Sequence, residues 1–190
     1  MTESELKDSP KQVNKGVAIL FEIVEVMVLS LVSVFLVSTF VYKQVNVVGN
    51  SMFPTLHDGD RVILFRYIFS QPKNGDVVVV TNSKIPGHKN IIKRIIASEG
   101  QKLKINSKKG EVYLDGVLQD EPYIKEPTKN LLDLKDDEET LVPRNHYFVM
   151  GDARNHSTDS RAKIVGFVDK KDILGKTSLV VYPLDRFKVM

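Results

Sequence analysis

The stretch Gly49-Asn50-Ser51-Met52-Phe53-Pro54-Thr55-Leu56 follows a long apolar segment, and two later stretches depend on it for their meaning. They are Ile91-Ile92-Lys93-Arg94-Ile95-Ile96 and Gly151-Asp152-Ala153-Arg154-Asn155-His156-Ser157-Thr158-Asp159-Ser160-Arg161. We interpret the three stretches as the nucleophile, the base and the base-orienting loop of one site. Such a site requires a fold that brings all three together.

The composition excludes several classes of function. A chain of 190 residues can bury one good core, and a net charge of +3 from 27 basic and 24 acidic residues does not indicate a nucleic-acid partner. The absence of cysteine excludes a disulfide framework, a thiolate metal site and a catalytic thiol. The four histidines lack the close spacing of a metal site, so we expect no metal and no cofactor; they are His57, His88, His146 and His156.

The segment before the first stretch predicts a transmembrane anchor over residues 16–42. Residues 26–42 are 17 positions without a formal charge, a length of about 25 Å as a helix against a hydrocarbon core of about 30 Å. Residues 17–24 can supply the missing turn, with Glu22 and Glu25 at the headgroup level. The alternatives are a buried core helix and a cleavable signal peptide, but the run is too long for the latter and no Ala-x-Ala site closes it.

The charges around this segment predict its orientation. Lys7, Lys11 and Lys15 lie in a polar tail, residues 1–15, whereas only Lys43 follows the segment closely. The positive-inside rule then places the N-terminus in the cytoplasm and residues 43–190 outside the membrane. Nine steps from residue 42 to Ser51 span at most about 30 Å, so we expect Ser51 to work close to the membrane surface.

The rest of the chain predicts a mainly antiparallel β fold. Strands are expected where β-branched and aromatic residues cluster, with Asp115-Gly116 as a hairpin turn, at residues 44–48, 61–67, 76–81, 91–97, 111–114, 146–150 and 177–182. A small insert is expected at about 101–145, in which residues 123–143 form a solvated loop. Residues 65–69 are either a buried strand end or a lip that dips into the lipid interface.

Ser51 is the candidate nucleophile because Pro54 and the following strand hold its backbone. The Gly-x-Ser-x-Gly elbow is missing, since Phe53 takes the place of the second glycine. Histidine is the usual base, and His57 and His156 stay possible.

Lys93 is the stronger candidate base because it lies inside an apolar strand, on one face with two isoleucines. Burial would have to lower its pKa from about 10.4 by roughly 3 units, or about 4 kcal/mol, for the amine to act as a general base at neutral pH. The alternative is a lysine that extends past the sheet edge into solvent.

The third stretch supplies a partner for this amine. A hydroxyl such as that of Ser157 can orient a neutral lysine without adding a charge that would raise its pKa. Asp159 and Arg161 are two residues apart and, on a strand, would project to one face as an ion pair. Asp152 and Asn155 are typical turn formers after a glycine.

Together these motifs, in this order behind an N-terminal anchor, closely resemble type I signal peptidases in their compact Gram-positive form. The resemblance implies an all-β fold and a Ser/Lys dyad that cuts signal peptides from exported preproteins at the outer face of the membrane. It implies these roles: Ser51 as nucleophile and, through its backbone amide, oxyanion donor; Lys93 as base; Ser157 as the orienting hydroxyl; Met52, Leu56 and Ile92 in the pockets for small side chains; Asp152, Asp159 and Arg161 as structural support.

We therefore expect a membrane-anchored serine endopeptidase of a Gram-positive cell membrane, with preproteins and the lipid bilayer as partners. Two other functions remain. A self-cleaving repressor-type regulator shares the dyad but would need a DNA-binding domain where the anchor lies. A catalytically silent or narrow-substrate anchored module that assists assembly of a surface structure would, if silent, be expected to lack Ser51 or Lys93.

Overall fold

The computed structural model describes residues 15–40, 42–67, 70–81 and 90–190, without the side chains of residues 38 and 40. Its contacts divide the chain into two units, a helix that ends at Phe40 and the β-rich body that follows. Most of the predicted tail, His88 and the end of the predicted lip at 68–69 lie outside the described residues.

The first unit is the helix α1, Lys15–Phe40. Its 26 residues contain no proline, and at 1.5 Å per residue they extend about 39 Å. By length and composition the helix can cross a membrane, and its apolar side chains are exposed all round. The hydroxyl of Ser33 donates to the carbonyl oxygen of Leu29, so this polar group is satisfied within the helix. The helix ends two residues before the predicted bound, because Tyr42 already belongs to a strand.

The second unit contains twelve strands within the described residues. They are β1 Tyr42–Asn46, β2 Arg61–Phe65, β3 Val77–Val80, β4 Ile91–Ala97, β5 Lys102–Asn106, β6 Glu111–Leu114, β7 Val117–Leu118, β8 Thr140–Leu141, β9 His146–Met150, β10 Val168–Asp169, β11 Ile173–Tyr182 and β12 Lys188–Val189.

The main sheet has the order β1-β2-β11-β3-β4-β9-β10, with β12 beside β11, and every pairing in it is antiparallel. The mainly antiparallel β fold expected from the sequence is confirmed. Strand β3 is buried at all four positions, and its alternate residues pack into different apolar clusters, Val78 and Val80 in one and Val77 in another. Strand β2 alternates buried and more exposed residues, as a sheet with one covered face requires.

A second sheet, β7-β6-β5-β8, occupies the predicted insert. Asp115 and Gly116 join β6 to β7 with φ angles of 49° and 80°. Positive φ at both central residues is what a two-residue hairpin of this twist needs, so the hairpin prediction is confirmed. Strand β5 was not predicted, although Lys-Leu-Lys-Ile-Asn alternates polar and apolar residues and buries Leu103 and Ile105.

The segment 119–134 corrects part of an expectation, because it is half-buried or exposed except at Thr128. It was predicted to belong largely to a solvated loop, but Thr128 is fully buried and Tyr123 packs its ring against Arg94. Residues 135–139 are all exposed, and Lys102, Lys104 and Lys135 form ion pairs with the acidic run 136–139. Polar groups of this loop make hydrogen bonds to Arg154, Asn155 and Arg161.

Residues 65–69 were expected to be either a buried strand end or a lip at the lipid interface, and the described residues of this segment differ in their burial. Phe65 is 37% exposed at the end of β2, opposite Tyr42 in the register, whereas Tyr67 packs against the core and donates its hydroxyl to Asp76. Contact of this segment with lipid stays a prediction.

Three apolar clusters form the core, and one of them contains residues of the turn that carries Ser51. In it the side chains of Met52 and Leu56 are buried against strands β2, β3 and β11; the other buried members are Val47, Val62, Val77 and Val180. The turn that carries Ser51 is therefore anchored from below by its own apolar side chains.

Candidate active site

The turn around Ser51 is closed by backbone hydrogen bonds. The amide of Gly49, a residue with φ of +85°, donates to Asp58 Oδ1 at 2.7 Å. The amides of Val47 and Gly59 bond to the carbonyl oxygens of Asp60 and Val47 at 2.8 and 3.0 Å. These bonds join the two ends of the turn, and Ser51 within it is partly exposed.

The segment after β11 also holds this turn. Arg186 donates twice to the buried carboxylate of Asp60, at 3.0 and 2.7 Å, and Lys188 donates to the carbonyl oxygen of Thr55. Neither contact was predicted, because nothing in the sequence near these two cations marks a partner more than a hundred residues away.

Lys93 lies on β4 beside Ser51. Its Nζ atom is 2.7 Å from Ser51 Oγ, and the residue is 4% exposed. Burial lowers the pKa of the Lys93 ammonium from 10.5 to about 8; Asp159 and Asp152 oppose this shift and Arg161 adds to it. A substantial fraction of the amine is therefore neutral slightly above physiological pH, as a general base requires.

Gly151 brings the third stretch against the nucleophile. A Cβ atom there would overlap Ser157 Oγ and the carbonyl oxygen of Ser51, so only glycine allows this approach. The carbonyl oxygen of Ser51 accepts a hydrogen bond from the amide of Ala153 at 3.1 Å. The backbone of the nucleophile is thus fixed directly by the loop that carries Ser157.

Ser157 is 7% exposed, and its hydroxyl makes no hydrogen bond within the described part of the chain. The amine of Lys93 is bonded to Ser51 instead. The expected contact between Ser157 and Lys93 is not formed in this state, and the orienting role of Ser157 stays a prediction.

Asp159 and Arg161 form an ion pair with no exposed side-chain surface, in which Nε and Nη2 of Arg161 lie 2.8 Å from the two carboxylate oxygens. Arg161 also donates to the carbonyl oxygens of Asn130 and Arg154, each at 2.6 Å. The backbone here forms a bend and a turn after a short 3₁₀ helix, Arg154–His156, so the strand alternation used to predict the pair was wrong.

Arg94 and Asp152 form a second buried ion pair, which the sequence reasoning missed. Nε and Nη2 of Arg94 lie 2.9 and 2.6 Å from the carboxylate oxygens of Asp152, and Thr55 donates its hydroxyl to the same carboxylate. The guanidinium lies 3.9 Å from the ring centroid of Tyr123 and also bonds the carbonyl oxygen of Gly75 at 2.9 Å. From the sequence Asp152 was interpreted as a turn former and, by the resemblance, as structural support, but no partner was assigned to it. The available signal was Arg94, a charged residue that follows Lys93 on an apolar strand and needs a counter-charge if it is buried.

A groove of about 510 Å³ leads to the dyad between β1 and β4. It is lined by residues 45–49, Ser51, Met52 and residues 90–93. Of the three predicted pocket residues, Met52 and Ile92 lie in its wall, whereas the structure places Leu56 in the core beneath.

The two other candidate bases lie apart from the dyad. His57 packs against the ring of Phe53, with centroids 5.0 Å apart, and His156 is exposed. Within the described residues no hydrogen bond joins either histidine to Ser51, and no cluster of acidic residues and histidines could hold a metal ion.

Comparison with known proteins identifies the family of the chain. The family described as signal peptidase, peptidase S26, matches residues 20–182. Signal peptidase I P of Bacillus subtilis subsp. natto is 35% identical over 172 residues, 87% of this chain and 90% of its own. A Staphylococcus aureus relative, named inactive signal peptidase IA, is 33% identical over 168 residues, 86% of this chain and 92% of its own. A solved signal peptidase I from Enterococcus faecalis covers 56% of this chain and 97% of its own at 25% identity, with a TM-score of 0.45.

The family match extends over most of the chain, from within α1 to the end of β11, and it includes all three stretches of the site. The chain therefore belongs to the signal peptidases of family S26 and is a serine peptidase.

Proposed function

We propose that this chain is a membrane-anchored endopeptidase that removes signal peptides from exported preproteins by a Ser51/Lys93 dyad. The observation that carries the proposal is the 2.7 Å distance between Lys93 Nζ and Ser51 Oγ, at a buried amine whose pKa is lowered to about 8. A nucleophile and a base within hydrogen-bond distance are the minimum that acyl transfer needs.

In the proposed reaction the neutral amine of Lys93 accepts the hydroxyl proton as Ser51 Oγ attacks the scissile carbonyl. The resulting ammonium gives this proton to the leaving amine, and the bond to the mature protein breaks. Lys93 then takes a proton from a water that attacks the acyl ester and returns it to Ser51 Oγ as the ester bond breaks, which frees Ser51 and releases the signal peptide. The backbone amide of Ser51 donates to the oxyanion in both steps.

Ser157 has a role that matches its buried, unpaired hydroxyl. An ammonium carries three hydrogens, one more than the neutral amine, and so needs a further acceptor. The hydroxyl of Ser157, held beside Gly151 and the Ser51 backbone, is suited to accept from the Lys93 ammonium as it forms. This role predicts that Ser157 favours the protonated intermediate rather than the resting enzyme.

The groove suits an extended peptide. Strand β1 pairs only with β2 in the described part of the chain, and β4 pairs with β9 only from Arg94 onward, so residues 91–93 have a free edge. A substrate strand can hydrogen-bond to such edges, and its alternate side chains would then enter the groove that Met52 and Ile92 line. We expect these apolar walls to admit small side chains at the first and third positions before the cut.

Helix α1 supplies the anchor in this proposal. The charge pattern places its N-terminal end in the cytoplasm and the β-rich body outside. A signal peptide carries an apolar helix of its own, so enzyme and substrate meet in the same bilayer.

The test is cleavage of a preprotein by the full chain in detergent, with the product mass locating the cut. We expect one cut after a small residue by the wild type and none by Ser51→Ala. Intact preprotein with the wild type, across several preproteins, would contradict general processing. It would favour the narrow-substrate or silent module, a function consistent with the name of the staphylococcal relative.

A further inference from the structure

The segment 119–134 reaches the catalytic loop through one buried ion pair. Nη1 of Arg154 lies 2.8 Å from Glu121 Oε2, and Nη2 bonds Oε1. The side chain of Glu121 is 6% exposed and that of Arg154 is 0% exposed. The hydroxyl oxygen of Thr128 accepts a further bond from Arg154 Nη1 at 2.7 Å, so segment 119–134 supplies three acceptor oxygens, from two side chains, to one guanidinium.

Arg154 connects Glu121 with the backbone of the loop that carries Ser157. Its Nε donates to the carbonyl oxygen of Gly151 at 3.1 Å, and its own carbonyl oxygen accepts from Arg161 at 2.6 Å. Gly151 is the residue against which Ser157 Oγ and the Ser51 carbonyl oxygen both pack. A change at Glu121 therefore reaches Ser51 and Ser157 through two contacts, at Arg154 and at Gly151.

Tyr123 provides a second connection from the same carboxylate. Its hydroxyl donates to Glu121 Oε1 at 3.1 Å, and its ring centroid lies 3.9 Å from the guanidinium of Arg94 and 5.9 Å from that of Arg154. Arg94 bonds Asp152 and Thr55, and Thr55 belongs to the nucleophile turn. Glu121 thus connects with both sides of the site.

Stability alone does not account for this pair. A buried ion pair can often be replaced by apolar side chains of similar volume with no loss of stability, because desolvation offsets much of the attraction. Arg154 does something that an apolar side chain cannot do: its Nε donates a hydrogen bond that fixes the position of the Gly151 carbonyl oxygen.

We propose that Glu121 is a positioning residue of the active site, which holds the Gly151–Ser157 backbone in place through Arg154 and thereby keeps Lys93 buried against Ser51. The inference rests on the proposed Ser51/Lys93 mechanism. Glu121 itself contacts neither the dyad nor the groove.

The first test is Glu121→Gln in the full chain, which keeps the shape but leaves a buried guanidinium without its counter-charge. We expect kcat for preprotein cleavage to fall by about 10- to 100-fold with little change in KM, because the lost interaction orients the reacting groups. We also expect the acidic limb of the pH profile to move to higher pH, since a looser loop admits water to Lys93. Glu139→Gln is the matched control, because Glu139 pairs with Lys102 at 3.3 Å on the surface of the same small sheet and should leave both values unchanged.

A double variant, Glu121→Leu with Arg154→Met, separates positioning from stability. It removes both charges together, so we expect a Tm near that of the wild type. The Gly151 carbonyl oxygen still loses its donor, so kcat should stay low. Full recovery of kcat together with Tm would overturn the proposal, as would wild-type kcat and pH profile in Glu121→Gln.

The reactivity of Lys93 tests the inference separately from the function. The pH dependence with which an amine-selective acylating reagent modifies Lys93, followed by mass spectrometry, should shift upward in Glu121→Gln. If the wild type cleaves no preprotein, the proposed function fails while this shift can still be measured. If the wild type cleaves and the shift is absent, the positioning role of Glu121 fails alone.

Discussion

Lys93 Nζ lies 2.7 Å from Ser51 Oγ, although the two residues stand 42 positions apart in the chain. The next residue on the strand, Arg94, points to the opposite face, where its guanidinium pairs with Asp152. Adjacent strand residues point to opposite faces. One strand therefore supplies a buried amine to the nucleophile and a permanent cation to its supporting loop.

The pH dependence of cleavage should follow Lys93. Its pKa is about 8 and the neutral amine is the active form, so kcat/KM should rise with pH and level off above that value. The measurement is initial rate at low substrate concentration between pH 6 and about pH 10. A profile that is flat through pH 8 would contradict a lysine base.

Lys93 should also lower the stability of the fold. Its pKa is 10.5 unfolded and about 8 folded, so the unfolded state binds more protons between these values and stability rises with pH across that window. Below pH 8 the full penalty applies, about 3 kcal/mol from the size of the shift. We expect Lys93→Met to be inactive yet more stable at pH 7 by about 1 to 3 kcal/mol, measured by urea unfolding. An equal or lower stability would show that the amine is not desolvated as described.

Gly151→Ala should impair the site more than the fold. The added methyl group would displace Ser157 or the Ser51 backbone, and such overpacking destabilises by about 1 to 3 kcal/mol. We expect kcat to fall by at least about 10-fold, since small displacements of reacting groups have large effects on rate. Gly116→Ala is the control, because it strains a positive φ in open space, with a stability loss of about 1 kcal/mol and unchanged kcat. Similar kcat values for the two variants at similar stability would contradict the packing argument.

Asp152→Asn should strongly destabilise the body. It leaves Arg94 buried without its counter-charge, and breaking such a pair from one side reduces stability by about 3 to 5 kcal/mol. Lys171→Ala removes one member of the exposed pair with Asp169 and should change stability by less than about 1 kcal/mol. Thermal unfolding of both variants makes the comparison, and a loss of the same small size in each would be inconsistent with a buried pair.

Much of the fold, and the closeness of Lys93 to Ser51, could be predicted from the sequence for physical reasons. Strand β4 was predicted with its observed bounds because Ile91–Ala97 is dense in β-branched residues. Asp115-Gly116 was predicted as a turn because few residue pairs accept two positive φ angles. Lys93 was predicted as a base because an ammonium on an apolar strand face is unfavourable unless its pKa falls.

Some contacts could not be predicted from the sequence, because no pattern near either residue indicates its partner. Glu121 lies in a polar segment, and its pairing with Arg154 depends on how the segment 119–134 packs against residues 152–161. Arg186 and Asp60 are likewise 126 residues apart, and each alone resembles an ordinary surface charge. Such pairs depend on the tertiary fold, which a reading of local patterns does not supply.

The most direct test of the dyad compares cleavage of one preprotein by the wild type, Ser51→Ala, Lys93→Ala and the double variant His57→Ala/His156→Ala. Removing a nucleophile or its base should reduce kcat by at least about 10³-fold, whereas the double histidine variant should retain wild-type activity. Cleavage by Lys93→Ala at the wild-type rate, or its loss in the histidine variant with the fold intact, would contradict Lys93 as the base for Ser51.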